Sequence, residues 1–401
     1  MGAPVSLKAR ILYLVSLAAF LRSFAQVIYV PSLATMRAEL VTTTATIGLT
    51  LSVYGLCLAF AQIAYGPIVD RFDGKRILLF GLGLFAVGSL GGYLTRGIGL
   101  LLAARSLQAL GIAAAASVGI ALITDVFPAA ERGRAMGIFS MFNSAGAASG
   151  PAIGGALAVW LSWRADFLAL ALVTVALLVF TLWQLPPQPI HGQKVGLEEM
   201  LTIARTRATL GALVLGLVQF YGLYTIHTLT PILLAERLGL HEGGIGAVAT
   251  FSAIGVIAGS LLGGQAADRR GLRFTLVVGA LGTVLTFGAL TAISAMATAA
   301  TPAALVAAGL LAFGVTAGFG FPAQLNIMVD YFPTIRGTAG ALQFFARFVG
   351  TTIAPLLAGY LADHLGLPTG YGFATAVLAL GAAFAFFTIA DPAPAPEVAT
   401  Q

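Results

Sequence analysis

Long apolar runs, separated by short breaks of polar residues, proline or glycine, follow one another along almost the whole chain. Each run is close to the roughly 20 apolar residues that an α-helix needs to cross a bilayer. The pattern therefore predicts an all-α protein with twelve membrane-spanning helices. Their predicted positions are 11–34, 46–69, 77–95, 98–124, 134–160, 165–185, 209–234, 244–266, 273–296, 302–329, 337–362 and 370–390.

Composition supports the same class of protein. Of the 401 residues, 59% are hydrophobic and 9% are charged, and the mean hydropathy is +0.96. A soluble domain carries roughly 25% charged residues, so this surface is expected to face lipid. Residues 1–10 are too short, and the first apolar run is too long, for a cleaved signal peptide.

The distribution of Lys and Arg predicts the orientation in the membrane. If both termini lie inside, the predicted outer loops keep only Arg37, Arg96, Arg164 and Arg237, and the remaining loop cations fall on the inner side. Because positively charged loops stay cytoplasmic, both termini are predicted to be cytoplasmic. The net charge of +6 then follows from topology, and no nucleic-acid partner is expected. The single cysteine, Cys57, permits no internal disulfide and no thiol metal site.

The longest polar break, 186–208, divides the predicted spans six and six. It predicts a first bundle over residues 1–185, a cytoplasmic linker, and a second bundle with a short tail over residues 209–401.

Segments of the first half recur in the second half at nearly constant spacing. DVFPAAERGRAMG at 125–137 matches DYFPTIRGTAGAL at 330–342, and GAASGPAIGG at 146–155 matches GTTIAPLLAG at 350–359. Parallel repeats of this kind enclose a central site between the halves near the bilayer midplane.

These motifs resemble the major facilitator superfamily over essentially the whole chain, and within it the twelve-span drug:proton antiporter branch. The resemblance is carried by the Gly-x-x-x-Asp-Arg loops at 66–76 and 264–273, by RSLQALGIAAA at 105–115, which resembles the fourth-span motif, and by GAASGPAIGG at 146–155, which resembles the fifth-span antiporter motif. LSVYGLCLAFAQIAYGPIVDRF at 51–72 adds a likeness to bicyclomycin and chloramphenicol exporters.

The resemblance implies two pseudo-symmetric six-helix bundles in a bacterial inner membrane. It also implies proton-coupled efflux of small amphipathic compounds by alternating access, from a monomer without a cofactor or metal. The sequence contains neither GxxxxGK[ST] nor HExxH, so nucleotide hydrolysis and zinc proteolysis are not expected, and the chain is predicted to be a transporter rather than an enzyme. One departure bears on coupling, because related exporters often carry a first-span acid where this chain has Val27.

Charged residues beside the predicted cytoplasmic helix ends form a candidate gate. The resemblance implies that such charges pair across the halves in one conformation and separate in the other, whereas the simpler interpretation is that the cations only enforce topology. The predicted gating and coupling residues are Asp70, Arg71, Arg105, Asp125, Gly150, Pro151, Asp268, Arg269 and Asp330. Gly150 belongs to a glycine stripe that lets another helix approach closely, and Pro151 weakens the helix at that point.

Arg22 lies in the middle of the first predicted span. Either membrane surface is roughly 15 Å away, too far for the side chain to reach, and an unpaired arginine at that depth costs about 3 kcal/mol on insertion scales. It is therefore expected to face a wet cavity. Arg22, Gln26 and Tyr29 share one helical face, which predicts a cavity-lining face.

Arg105 and Arg347 are also predicted to lie within spans, whereas every acidic residue falls in a loop or at a helix end. The predicted cavity is cationic and suits an anionic substrate. The alternative is that Arg22 and Arg105 are held by carbonyls and by polar side chains such as Gln26, Gln108 and Tyr54. The predicted substrate-binding residues are Arg22, Gln26, Tyr29, Tyr54, Asn143, Gln219, Tyr224, His227, Asn326 and Arg347.

The sequence thus predicts an alternating-access transporter that exports small amphipathic compounds, anions in particular, with protons as the coupling ion. A proton carrier such as His227 is one interpretation, and a hydrogen-bonded packing histidine is the other. An organic-anion uniporter or proton symporter that runs inward is the alternative within transport. A membrane receptor without transport activity is the alternative outside it.

Overall fold

The computed structural model describes residues 7–69, 72–185, 207–332 and 336–389, and these residues are almost entirely helical. Twelve long helices and one short helix account for the fold. They are α1 (Leu7–Val27), α2 (Leu33–Glu39), α3 (Thr44–Val69), α4 (Gly74–Tyr93), α5 (Ile98–Val126), α6 (Ala129–Trp160), α7 (Arg164–Gln184), α8 (Arg207–Glu236), α9 (Glu242–Arg270), α10 (Leu272–Met296), α11 (Ala303–Tyr331), α12 (Arg336–Leu365) and α13 (Leu367–Thr388).

The first predicted span, 11–34, differs from the observed one. Helix α1 ends at Val27, and a 3₁₀ turn over Val30–Ser32 joins it to the short helix α2. Pro31 lies in this turn, where its missing backbone N–H removes one hydrogen bond of the α-helical ladder.

Eleven helical segments of the described residues are long and apolar enough to cross a membrane. The long helix outside that set is α6, which carries Glu131, Arg132 and Arg134 in its first two turns and is rich in glycine and serine. The prediction of an all-α, multi-pass membrane fold is confirmed.

Helix packing divides the structure into two related halves. Helices α1 to α7 pack against one another, and α8 to α13 do the same. Two pairs of long helices join the halves, α3 with α12 and α6 with α9, and the short helix α2 also contacts α8. Because α3 corresponds to α9 and α6 corresponds to α12 in the repeat, these two pairs are related by a pseudo-twofold axis. The linker predicted at 186–208 lies mostly outside the described residues.

The glycine stripe of α6 packs against α1. A methyl group added at Gly150 would come 2.7 Å from Val27 Cγ2, and one added at Gly154 would overlap the backbone carbonyl of Ile28. Side chains are absent here because the two backbones nearly touch, as in other membrane helix pairs with small residues at the interface.

The helices run between two faces of the structure. We call the face where α1 begins and α13 ends the terminal face, and the face where α1 ends the opposite face. The halves are sealed at the opposite face. Arg37 donates to Glu236 and Thr35 donates to Glu242, both across the halves. The carboxylate of Asp363 accepts from the amide nitrogens of Thr44 at 3.0 Å and Ala45 at 2.9 Å. The first N–H groups of a helix have no acceptor within the helix. The Asp363 carboxylate supplies acceptors for two of them and so caps the amino end of α3.

Candidate functional site

A cavity of about 340 Å³ lies between the two halves. This volume is at the lower end of the range for small-molecule sites. Helices α1 and α6 supply one wall, and α8, α9, α11 and α12 supply the other. The lining residues are Arg22, Ser23, Gln26, Val27, Asn143, Ser144, Ala147, Phe220, Leu223, Tyr224, His227, Ser252, Ala253, Val256, Ile257, Ser260, Phe321, Phe344, Arg347 and Phe348.

Arg22 lines the cavity from the first half. Its terminal nitrogen Nη2 donates to Asn143 Oδ1 at 2.6 Å, and Ser23 Oγ donates to the same oxygen at 2.6 Å. Its Nε atom is buried and has no hydrogen-bond partner among the described residues. The guanidinium is thus held in place by a neutral amide and keeps unused donor capacity.

Arg347 lines the cavity from the second half, within α12. It donates to Gln324 Oε1 at 3.1 Å and to the carbonyl of Phe321 at 3.3 Å. Its guanidinium carbon lies 5.1 Å from the ring centre of Phe220, 5.0 Å from that of Phe321 and 5.7 Å from that of Phe344. These separations allow cation–π attraction to each of the three rings.

His227 and Tyr224 line the same wall, with ring centres 5.1 Å apart. His227 Nδ1 is buried and has no hydrogen-bond partner among the described residues. The imidazole is therefore a polar group in the cavity lining whose Nδ1 atom is not satisfied by the described residues.

Arg105 does not line the cavity and is completely buried in the first half. Its guanidinium donates to the carbonyl of Ala25 at 3.0 Å and to Gln108 Oε1 at 2.7 Å. It also lies 4.6 Å from the ring centre of Tyr29 and 4.1 Å from that of Tyr54. Carbonyls, an amide and two aromatic faces surround this cation, and only its Nη2 atom has no hydrogen-bond partner among the described residues. Because Arg105 is also outside the cavity lining, the geometry favours the structural alternative for this residue.

The structure brings together six of the predicted substrate-binding residues. They are Arg22, Gln26, Asn143, Tyr224, His227 and Arg347.

The other four predicted residues lie outside the cavity lining. Tyr29 follows the end of α1 and is buried against Thr50 and Arg105. Tyr54 is buried and donates to the backbone carbonyl of Arg22 at 3.2 Å. Gln219 is buried behind the wall and accepts from Gln324, and Asn326 of α11 is exposed.

Sequence reasoning missed the aromatic part of the site. Phe220, Phe321 and Phe344 surround Arg347, and each was an ordinary apolar residue in an apolar helix. The available signal was spacing, because Phe344 precedes Arg347 by three positions and Phe220 precedes Tyr224 by four, which places each pair on one helical face.

The predicted gating residues are dispersed. Asp70 and Arg71 lie outside the described residues. Asp125, Asp268, Arg269 and Asp330 are exposed at the terminal face, near the ends of α5, α9 and α11.

Gly150 and Pro151 lie in the contact regions of α6. Gly150 faces α1, and the carbonyl of Pro151 lies against Gly246 of α9, at one of the two helix pairs that join the halves.

No acidic residue belongs to the described cavity lining. One acid is nevertheless fully buried elsewhere: Asp166, in the first turn of α7, whose carboxylate oxygens have no hydrogen-bond partner among the described residues. The lining itself carries two arginines and no carboxylate to neutralise them.

Comparison with known proteins agrees with this architecture. The family model described as Major Facilitator Superfamily matches residues 15–241 and 212–401. A solved bacterial homologue of the human lysosomal transporter Spinster, in an inward-facing and unoccupied conformation, superposes with a TM-score of 0.81. It is 17% identical and the superposition covers 96% of this chain and 98% of that chain.

Two curated relatives are drug resistance proteins. Multidrug resistance protein D of Escherichia coli is 26% identical over 342 residues, which is 84% of this chain and 85% of that protein. The chloramphenicol resistance protein of Pseudomonas aeruginosa is 33% identical over 180 residues, which is 44% of this chain and only 42% of that protein. The resemblance to the drug antiporter branch, predicted from the sequence motifs, is confirmed.

Proposed function

The chain belongs to the Major Facilitator Superfamily, and from that premise we propose that it is a secondary active transporter that exports small amphipathic anions in exchange for protons. The observation that carries this proposal is the central cavity, which has one arginine from each half and no described acidic residue in its lining. A buried cation without a carboxylate partner gains most from an anion that arrives from solution.

Alternating access is supported by the geometry of the halves. The seal formed by Arg37, Glu236 and Asp363 lies entirely at the opposite face. We place the terminal face in the cytoplasm, because most loop Lys and Arg residues belong to that side. The conformation is then inward-facing, the state named for the Spinster homologue of similar fold.

Export is supported by the two drug resistance relatives, one of which aligns over 84% of this chain. In this scheme the protein works as a monomer in a bacterial inner membrane. Charges at the terminal face, including Asp268 and Arg269, pair across the halves when the transporter turns outward.

An organic-anion uniporter or proton symporter is the second candidate. Val27 favours this candidate, because it lies in the cavity wall at the position where related exporters often carry an acidic residue. His227 is then the candidate proton carrier within the cavity lining.

Reconstitution into liposomes tests the proposal. The solution that bathes the opposite face is made acidic. Movement of a lipophilic anion towards that solution should then be accompanied by proton flux in the other direction, and a lipophilic cation of matched size should be transported poorly. Proton-independent anion flux would support uniport instead. A clear preference for the cation would contradict anion export.

Arg22 provides the residue-level test. Arg22→Gln should weaken anion binding by about 1.5–3 kcal/mol, or about ten- to a hundredfold, because it removes a charge-assisted interaction. Arg22→Lys should recover only part of the affinity, since an ammonium keeps the charge but loses the planar donor geometry. Parent-like affinity in a well-folded Arg22→Gln protein would show that Arg22 does not bind the substrate.

A further inference from the structure

The two walls of the cavity differ in chemistry. The first half contributes polar side chains at Arg22, Ser23, Gln26, Asn143 and Ser144. The second half contributes five aromatic side chains, which are Phe220, Tyr224, Phe321, Phe344 and Phe348. No aromatic residue of the described first half belongs to the lining. We call the first side the polar wall and the second side the aromatic wall, although the second side also carries the polar residues His227, Ser252, Ser260 and Arg347.

The polar wall offers donors. Asn143 Oδ1 already accepts from both Arg22 and Ser23, so the unused hydrogen-bonding atoms of this amide are those of its NH₂ group. The Nε–H group of Arg22 also lacks a partner among the described residues. A carboxylate, which only accepts hydrogen bonds, fits a surface of this kind.

The aromatic wall offers flat faces. The rings of Phe220 and Phe321 are 5.3 Å apart and inclined at 34°, and the Arg347 guanidinium lies beside both. Arg347 directs Nη2 to Gln324 and to the Phe321 carbonyl, and its Nε, like that of Arg22, has no hydrogen-bond partner among the described residues. Its planar face and the neighbouring rings favour a flat, polarisable group rather than a saturated one.

We infer that the substrate is an aromatic carboxylate bound across the two halves, with its carboxylate at Arg22 and Asn143 and its ring in the aromatic cage of Phe220, Phe321 and Phe344. This inference rests on the proposed function, because it assigns the substrate class and orientation at the same site. The ligand touches both halves at once and so links them around the cavity. A volume of about 340 Å³ suits a small acid with one or two rings.

A binding matrix on the purified full-length protein tests the assignment. The probes are 2-naphthoate, its saturated counterpart decahydro-2-naphthoate, neutral 2-naphthamide and 2-naphthylmethylammonium. The proteins are the parent, Arg22→Gln, Phe321→Leu and Phe387→Leu. Phe387 is the matched control, because it is 84% exposed on the last helix and is not part of the cavity lining. Thermal melts without ligand establish that each variant is folded.

2-Naphthoate should bind most tightly to the parent. Arg22→Gln should weaken both carboxylates by about ten- to a hundredfold and leave 2-naphthamide unchanged. Phe321→Leu should weaken 2-naphthoate by about two- to tenfold and leave the saturated acid unchanged, because only an aromatic ring loses a ring–ring interaction. Phe387→Leu should change none of the four affinities.

Two results would overturn the inference while anion export stands. The first is an equal loss for both carboxylates in Phe321→Leu, which would mean that the cage recognises volume rather than a ring. The second is a normal 2-naphthoate affinity in Arg22→Gln, which would mean that the carboxylate lies elsewhere. If the parent binds the ammonium probe and neither carboxylate, anion export fails together with the inference.

Discussion

The seal at the opposite face includes a close approach of two backbones at Gly359, and Gly359→Ala should weaken the seal. A methyl group at Gly359 of α12 would lie 2.7 Å from Cα and 2.8 Å from N of Ala45, in the other half. Ordinary contacts begin at 3.4 Å, so the two helices must separate by at least about 0.7 Å. Ala45 N is also one of the two donors to Asp363, so the same movement stretches the cap of α3.

The expected size of the shift in the conformational equilibrium follows from the energetic cost of overpacking. Forcing an extra methyl group into a tight contact costs about 1–3 kcal/mol, and here the cost applies only to the sealed conformation. The equilibrium should therefore shift away from that conformation by about five- to 150-fold. The higher helix propensity of alanine than of glycine lowers the free energy of both conformations equally, so it does not change the equilibrium between them.

Distance measurements between spin labels would report the shift. Labels at Leu161→Cys in the first half and Ala299→Cys in the second, in a Cys57→Ser background, lie at exposed positions beyond the helix ends of the opposite face. Gly340→Ala, in the same helix, is the control, because its methyl group would meet Leu325 Cδ1 at an ordinary 3.7 Å. A distance distribution identical to that of the parent in Gly359→Ala would refute the reasoning.

Two further predictions concern charged residues. Asp363→Asn leaves one acceptor oxygen where the cap uses two, and should weaken the seal by about 0.5–2 kcal/mol, seen as a shift of the same label distances in the same direction. An unchanged distribution would mean that the cap contributes nothing to the seal. Arg105→Gln should lower the melting temperature and leave 2-naphthoate affinity per folded molecule unchanged, because it removes charge-assisted hydrogen bonds and two aromatic contacts of a side chain that is not part of the cavity lining. A normal melting temperature with weaker binding would instead place Arg105 in the site.

The order of the helices and the family could be predicted from the sequence because they depend on features that repeat along the chain. Span length is set by the bilayer thickness, and the paired segments at 125–137 and 330–342 encode the two halves directly. The need to satisfy Arg22 follows from its depth alone, whatever the neighbouring helices are.

Which residues belong to the site was decided by the tertiary structure. A membrane helix is apolar on all sides, so its sequence does not show which side faces a neighbour, lipid or the cavity. Arg105 and Arg347 are alike as mid-span cations in the sequence, yet α5 turns the first towards carbonyls of its own half and α12 turns the second into the cavity. The rotation of each helix is fixed by close contacts with its neighbours, such as Gly146 of α6 against Phe20 of α1, and these contacts join residues far apart in the chain.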